Sequence, residues 1–170
     1  MATDTSRRAA TRGIHFIIIE TASGIPWLDD LRCARAVTAE LVQCEQQGLI
    51  ESLAWVVLPR QTLWLLRQRD ACLNACMALF KERSARAVQC AAGRSGRVWV
   101  AGYRDRAITL EDAPSLARDL VSMPLREGLA ERLEQYPHWF CRWTTAHTTE
   151  LHAESDTPVQ NSPTPGRVEH

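Results

Sequence analysis

The order of the predicted secondary-structure elements indicates an α+β domain. The chain of 170 residues runs as strand, helix, strand, strand, helix, one or two strands, and helix. Only a short turn at Pro59 and Arg60 separates the second strand from the third, so we expect a hairpin and a sheet that is at least partly antiparallel. The length fits one domain with tails and is sufficient for a hydrophobic core.

The first half of the chain predicts a strand followed by a helix. The stretch "GIHFIIIE", residues 13–20, is rich in β-branched residues and is typical of a buried strand. Asp29 and Asp30 supply the negative charge that a first helical turn favours, and Gly48 offers a stop. Between them, apolar residues recur at helical spacing: Leu31, Ala34, Val37, Leu41 and Val42.

The hairpin itself lies within "AWVVLPRQTLWLL", residues 54–66. Residues 52–58 form the predicted second strand, which ends at Pro59 because proline cannot donate a ladder hydrogen bond. Residues 62–66 form the predicted third strand. Asp70 is then placed to cap a long helix that we expect to extend through Val88.

The remaining ordered part predicts a turn at residues 93–97 and then one or two strands in "VWVAGYRDRAITL", residues 98–110, with Gly102 as a bend. A last helical region opens at Asp112, is interrupted by Pro124, and continues over residues 125–132. We therefore divide the chain into a flexible arm (1–12), a folded domain (13–143) and a disordered tail (144–170) that is rich in Ser, Thr and Pro.

The composition indicates a cytoplasmic protein without a membrane segment. The six cysteines contain no CxxC pair, and no signal peptide is evident, so we expect reduced and mostly buried thiols. The apolar run "FIII" is far too short to span a bilayer. The net charge is zero, but the folded part is slightly basic, and Lys81 is the single lysine among twenty basic residues.

Basic charge is concentrated between residues 81 and 106, where the net charge is +5. Arginine donates paired hydrogen bonds to phosphate, so this segment is a candidate nucleic-acid surface, although a solvated basic face is an alternative. Its basic residues, our candidate DNA-binding set, are Lys81, Arg83, Arg86, Arg94, Arg97, Arg104 and Arg106. Trp99 and Tyr103 lie among them and are candidates for stacking on unpaired bases.

Four blocks of the sequence, in this order and spacing, carry a resemblance to a known family: "SLAWVVLP", "ERSARAV", "GRSGRVWVAGYRDRAI" and "LARDLVSMPLREGLAERLEQYPHW". Together they resemble the REP-associated tyrosine transposases, a family of bacterial single-tyrosine HUH transposases. The resemblance covers residues 13–143. It implies a central antiparallel sheet flanked by helices with ferredoxin-like topology, and it places the basic segment on the nucleic-acid side.

The resemblance also implies a chemistry, namely cutting and rejoining single-stranded DNA beside a small hairpin. In this family two histidines, one residue apart on a strand, hold Mg²⁺ or Mn²⁺, and a helical tyrosine attacks the scissile phosphate. The histidine positions correspond here to Gln61 and Leu63, and the tyrosine position corresponds to Asp119. A further ligand position corresponds to Met123, whose thioether hard cations do not favour.

No other residue of the sequence clearly restores the chemistry. Tyr103 and Tyr136 are the two tyrosines, and we interpret both as structural. His15 is expected in the core or at an edge, and His138 belongs to the "YPHW" block. His147 and His152 with Glu150 lack the spacing of a zinc motif. We therefore predict neither a catalytic residue nor a bound metal, and we interpret Asp119 as a surface carboxylate and Leu63 as an apolar plug.

The leading hypothesis is a catalytically inactive, transposase-like protein that binds single-stranded or hairpin DNA as a monomer or homodimer. One alternative is a residual metal-dependent nickase that uses Gln61, Asp119 and Asp105. A second alternative is a domain that binds another protein and not DNA.

Overall fold

The computed structural model describes residues 13–144. The predicted arm, almost all of the predicted tail, and the residues His147, Glu150 and His152 lie outside the described residues. Among the described residues, no helix is long and apolar enough to cross a membrane. None of the six cysteines, all of which lie among the described residues, forms a disulfide, and four of them are buried.

Five strands form one sheet in which every hydrogen-bonded pair of neighbours is antiparallel. The strands are β1 (Ile14–Glu20), β2 (Ile50–Leu58), β3 (Gln61–Gln68), β4 (Arg104–Ile108) and β5 (Trp139–Cys141), and their order across the sheet is β4-β1-β3-β2-β5. The predicted α+β class and the hairpin at Pro59 and Arg60 are confirmed. The short edge strand β5 was not predicted, because three residues are too few to show alternation.

Four α-helices accompany the sheet: α1 (Leu31–Gln46), α2 (Leu73–Ala92), α3 (Ala113–Val121) and α4 (Met123–Arg126). Asp30 caps α1, because its side chain accepts a hydrogen bond from the Arg32 backbone N–H. The predicted cap of α2 at Asp70 was wrong, since the N-cap is Cys72 and its side chain makes no capping bond.

The prediction that helix continues through residues 125–132 was also wrong. Helix α4 ends at Arg126, and Gly128 has a positive φ of 68°. That left-handed conformation suits glycine and cannot continue a right-handed helix.

Each face of the sheet contributes to a separate hydrophobic core. On what we call the α1/α2 face, Trp64 and Leu66 pack with residues of α1 and α2 such as Val37 and Phe80. On what we call the α3 face, Leu63 and Leu65 pack with Ala117 and Leu120 of α3. Alternate residues of β3 therefore serve opposite cores, as the period of two in a strand requires.

The α1/α2 core contains a buried serine, Ser84, whose hydroxyl makes two hydrogen bonds. The Ser84 hydroxyl donates to the Phe80 carbonyl at 2.6 Å and accepts the Trp99 indole N–H at 3.0 Å. Phe80 lies between Trp64 and Trp99, with ring centroids 5.2 and 6.3 Å apart respectively. Ser84 thus satisfies an indole that would otherwise be buried without a partner.

The substitution Ser84→Ala is expected to lower the free energy of unfolding by about 1–3 kcal/mol, because the Trp99 N–H would lose its buried acceptor. Urea denaturation followed by tryptophan fluorescence measures the change. Ser115→Ala, at an exposed position of α3, is the matched control and should stay within about 0.5 kcal/mol. Equal effects of the two substitutions would contradict the role given to Ser84.

Candidate functional site

The strand position that corresponds to the second family histidine is filled by a buried leucine. Leu63 is 5% exposed, and its register partners are Ile18 on β1 and Val56 on β2. Val56 is fully buried, and Ile18 is partly buried against the same core. The expectation that Leu63 closes this position with an apolar side chain agrees with this packing.

Gln61 lies two residues before Leu63 and therefore on the same face of the sheet. It is partly buried, and its register partners are Glu20 and Leu58. Next to it is a cavity of about 410 Å³ lined by Leu58, Pro59, Arg60, Gln61, Glu127 and Leu129. Glu20 itself is bound by Arg104, whose guanidinium lies 2.8 Å from the carboxylate.

Asp119, at the position of the family nucleophile, is a surface carboxylate of α3, as expected. Its side chain is 61% exposed and pairs with Arg126 at 3.2 Å. Met123, at the further ligand position, begins α4 and packs, partly buried, against the α3-face core.

The resemblance implies Mg²⁺ or Mn²⁺ at this place, and the residues present do not fit such an ion. Leu63 offers no donor atom, and the carboxylates of Glu20 and Asp119 are each paired with an arginine. Among residues 13–144 no group of three His, Cys, Asp or Glu side chains could hold a metal. Hard divalent cations require several oxygen ligands, which this arrangement does not supply.

Neither tyrosine is placed to act as a nucleophile beside Gln61 and Leu63. Tyr103 packs against the α1/α2 core, on the opposite side of the sheet, and its hydroxyl donates to the Asn74 side-chain oxygen. The Tyr136 hydroxyl donates to the Val57 carbonyl at 2.6 Å. Burial, with smaller effects of Glu127 and Asp29, raises the pKa of Tyr136 to about 12, which disfavours the phenolate.

Two histidines, His15 and His138, lie among the described residues. His15 forms a hydrogen bond of 2.9 Å from Nδ1 to the Asp105 carboxylate. In the sheet register Asp105 pairs with Ile17, which belongs to the α1/α2 core, whereas Leu63 belongs to the α3 core. Asp105 and Gln61 therefore lie on opposite faces, and the geometry does not bring together the three residues of the alternative nickase.

His138 is buried, 6% exposed, and its backbone carbonyl accepts the Val57 N–H at 2.9 Å. The Tyr136 ring contacts the imidazole edge-on, with centroids 5.8 Å apart. Burial lowers the pKa of His138, and the nearby Arg35 lowers it further. The neutral imidazole is thus the form that the fold accommodates.

The candidate basic residues on α2 differ in how free their charges are. Lys81 donates to the Val100 and Gly102 carbonyls at 2.7 and 2.6 Å, so its ammonium group fastens the loop before β4. Arg83 donates to the Gln47 side chain at the end of α1. Arg86 is well exposed and pairs with Glu82 one turn earlier on the helix.

The candidates in the loop after α2 are Arg94 and Arg97. The Arg94 guanidinium stacks over the Trp27 ring at 3.8 Å from its centroid. Arg97 donates from Nε to the Trp99 carbonyl and is otherwise exposed. Trp99 itself is only 4% exposed and donates its N–H to Ser84. Its ring therefore belongs to the hydrophobic core and is not available for stacking on a base.

Arg104 and Arg106 lie on the other side of the sheet from α2. In register they pair with Ile18 and Phe16 of β1, which face α3, and both arginines are exposed. The Arg106 guanidinium lies 5.7 Å from the centroid of the Phe16 ring. Sequence reasoning missed Phe16 because an aromatic residue within "FIII" is indistinguishable from core.

Helix α3 covers only part of its face of the sheet. It packs chiefly on β2, with fewer contacts to β5 and β3. On β1 the side chains of Phe16 and Ile18 are partly buried, and on β4 the arginines are exposed. We call this region, formed by Phe16, Ile18, Arg104 and Arg106, the open half of the α3 face.

The five-stranded antiparallel sheet with its flanking helices is similar to the folds of two solved transposase structures. The solved structure of a REP-associated tyrosine transposase bound to a REP hairpin matches with a TM-score of 0.63 and 15% identity, and the match covers 94% of each chain. The crystal structure of a protein assigned as a transposase from Deinococcus radiodurans R1 matches with a TM-score of 0.50 and 18% identity, covering 64% of this chain and 88% of that one. No family model and no curated protein matches the sequence. The likeness at these identities establishes the fold.

The substitution Leu63→Ala is expected to lower the free energy of unfolding by about 2–5 kcal/mol, because it leaves a cavity between Ile18 and Val56. Urea denaturation measures the change, and Leu110→Ala, at a position that is 66% exposed, should stay within about 0.5 kcal/mol. A small effect at Leu63 would mean that this position is not a packed part of the core.

The stability of the protein is expected to fall when the pH is lowered from about 8 to about 5. His138 has its pKa lowered below the ordinary value of 6.5, so below pH 6.5 the unfolded chain binds more protons than the folded protein. The contribution of neutral His138 to stability is therefore complete above pH 6.5, and it is lost as the pH falls toward the pKa of His138 in the folded protein. Urea midpoints at the two pH values measure it, and the difference should shrink in His138→Gln. An unchanged pH dependence in that variant would be evidence against this assignment.

Proposed function

We propose that the domain of residues 13–143 binds single-stranded or hairpin DNA and does not cut it. The observation that carries the second half of the proposal is Leu63, an apolar and 5% exposed side chain at the strand position where the chemistry needs a metal-binding histidine. DNA binding rests on the transposase-like fold and on the exposed arginines around it.

The arginines support phosphate binding because several of them keep exposed guanidinium groups. Arg86, Arg97, Arg104 and Arg106 are exposed, whereas Lys81 is held by two loop carbonyls. We therefore propose these four arginines as the main phosphate contacts, together with Arg94 beside Trp27. Arg83 and Lys81 remain weaker candidates, because their hydrogen bonds to the protein would have to be exchanged for phosphate.

The solved relative bound to a REP hairpin supports hairpin DNA as the ligand class, since the two chains share their fold over nearly their full length. Any such binding would be salt-sensitive, because arginine contacts to phosphate release counterions.

The absence of cleavage is supported by three independent features of the site. The metal positions hold Gln61 and Leu63, the nucleophile position holds an exposed Asp119 paired with Arg126, and the Tyr136 hydroxyl is bound to a backbone carbonyl. A transposase of this class needs the ion and the tyrosine together, so the loss of either would abolish covalent attachment to DNA.

The test is a hairpin oligonucleotide with a labelled single-stranded flank, incubated with the protein and Mg²⁺ or Mn²⁺. We expect binding that weakens as salt increases, with neither a strand break nor a denaturant-resistant protein–DNA adduct. In Arg86→Ala/Arg97→Ala the salt dependence should become shallower by about one phosphate contact or more. Arg69→Ala is the matched control, because it also removes positive charge but lies outside the proposed set of contacts, directly after the end of β3. It should leave the salt dependence unchanged.

Two outcomes would overturn the proposal. Metal-dependent nicking that is abolished by Asp119→Ala would restore the nickase. Absence of salt-dependent binding to any of the oligonucleotides, with native and variant proteins behaving alike, would instead favour a domain that recognises another protein.

A further inference from the structure

The open half of the α3 face combines features that the proposed phosphate contacts alone do not explain. Phe16 lies on β1, one strand in from the edge of the sheet, and is partly buried, although the next residue, Ile17, is fully buried on the other face. A partly exposed aromatic ring next to the exposed arginines of β4 differs from an ordinary core phenylalanine.

The register defines the shape of this surface. Across the sheet, Arg106, Phe16 and Leu65 form one row, and Arg104, Ile18 and Leu63 form the next. The floor of the surface is therefore apolar, and the edge strand β4 provides a border of two positive charges.

The inner ends of both rows are buried. Leu63 is 5% exposed and Leu65 is fully buried in the core that includes α3. The accessible apolar part of this surface is therefore formed by Phe16 and Ile18.

Both arginines of this surface can still bind a negatively charged group of a ligand. Arg104 is paired with a single carboxylate, that of Glu20, and its side chain is 65% exposed. The Arg106 guanidinium is 5.7 Å from the Phe16 ring centroid, near the outer limit of a cation–π contact, so it can turn toward a phosphate at small cost.

We infer that the open half of the α3 face is a stacking site for an unpaired base of single-stranded DNA, with Phe16 as the stacking ring and Arg104 and Arg106 as contacts to the adjoining phosphates. Stacking of a base needs an aromatic ring that it can reach, and the backbone needs positive charge beside that ring. Phe16 supplies a partly exposed ring, which a base would reach once Arg106 turns away from it, and Arg104 and Arg106 supply the charge. The charge complementarity favours a nucleic-acid strand over an apolar peptide. The inference rests on the proposed function and adds to it a location and a residue that the basic segment did not indicate.

The test separates the contribution of the base from that of the phosphate. Two fluorescein-labelled strands of about 12 nucleotides are titrated by fluorescence anisotropy, one of thymidine nucleotides and one fully abasic with the same number of phosphates. Native protein should bind the thymidine strand about five- to tenfold more tightly than the abasic strand.

Two variants of Phe16 then assign the difference. Phe16→Leu keeps an apolar side chain for packing, so the fold is preserved, and it should weaken binding to the thymidine strand about five- to tenfold while leaving the abasic strand unaffected. Phe16→Tyr keeps the ring and should bind like native protein. Val42→Ala, an exposed apolar position on α1 beyond the opposite face, should change neither affinity.

Arg106→Gln provides the complementary readout. It removes a charge and not the ring, so it should weaken binding to both strands by the same factor and make the salt dependence shallower. This behaviour would support the placement of phosphate at the β4 edge.

The outcomes distinguish this inference from the proposal on which it rests. If native protein binds the thymidine strand in a salt-dependent manner and Phe16→Leu binds it equally well, the stacking site is wrong and DNA binding stands. If native protein binds neither strand nor a hairpin, both fail. If Phe16→Leu instead abolishes a concentration-dependent dimer seen by sedimentation, a second copy of the chain occupies this face and the inference is overturned.

Discussion

The pairing of β3 between β1 and β2 is the constraint on which the rest of the structure depends. Every residue from Thr62 to Leu66 is buried, because β3 has a hydrogen-bonded strand on each side and a helical layer on each face. With a period of two, Trp64 must serve the α1/α2 core and Leu63 the α3 core. A shift of one residue would exchange these two sets of contacts, so the hairpin register determines both cores at once.

The same constraint explains why an apolar side chain suits the position of Leu63. Two imidazoles on the α3 face would need an ion or other polar partners, since burying unsatisfied polar groups is costly. Leu63 places no such requirement on the fold, and the carboxylates of Glu20 and Asp119 are paired with Arg104 and Arg126 respectively. Glu127 lines the cavity next to Gln61, and the exposed arginines of β4 and the partly buried Phe16 ring lie on the same face of the sheet.

Short sequence patterns predicted those features of the fold that depend on residues close together in the sequence. Pro59 and Arg60 indicated the hairpin, the spacing of Val37 and Leu41 indicated the buried side of α1, and the polarity of Asp119 indicated a surface position. The start of α2 was less predictable, because Asp70 is a favourable cap in isolation and the core contacts of Leu73 and Met77 decide where the helix lies. Three residues of β5 carry no pattern at all.

The sequence by itself determined the class of the fold and the identity of the residues at the positions that correspond to the family's catalytic residues, since both are properties of residue type and order. The tertiary structure decided which side chains share a surface. It placed Arg104 and Arg106 on the α3 face and Lys81 on the helical layer of the other face. It also left Phe16 partly uncovered while burying Trp99. The physical reason is that strand register and helix coverage bring together residues far apart in the chain, and neither is encoded in any local stretch.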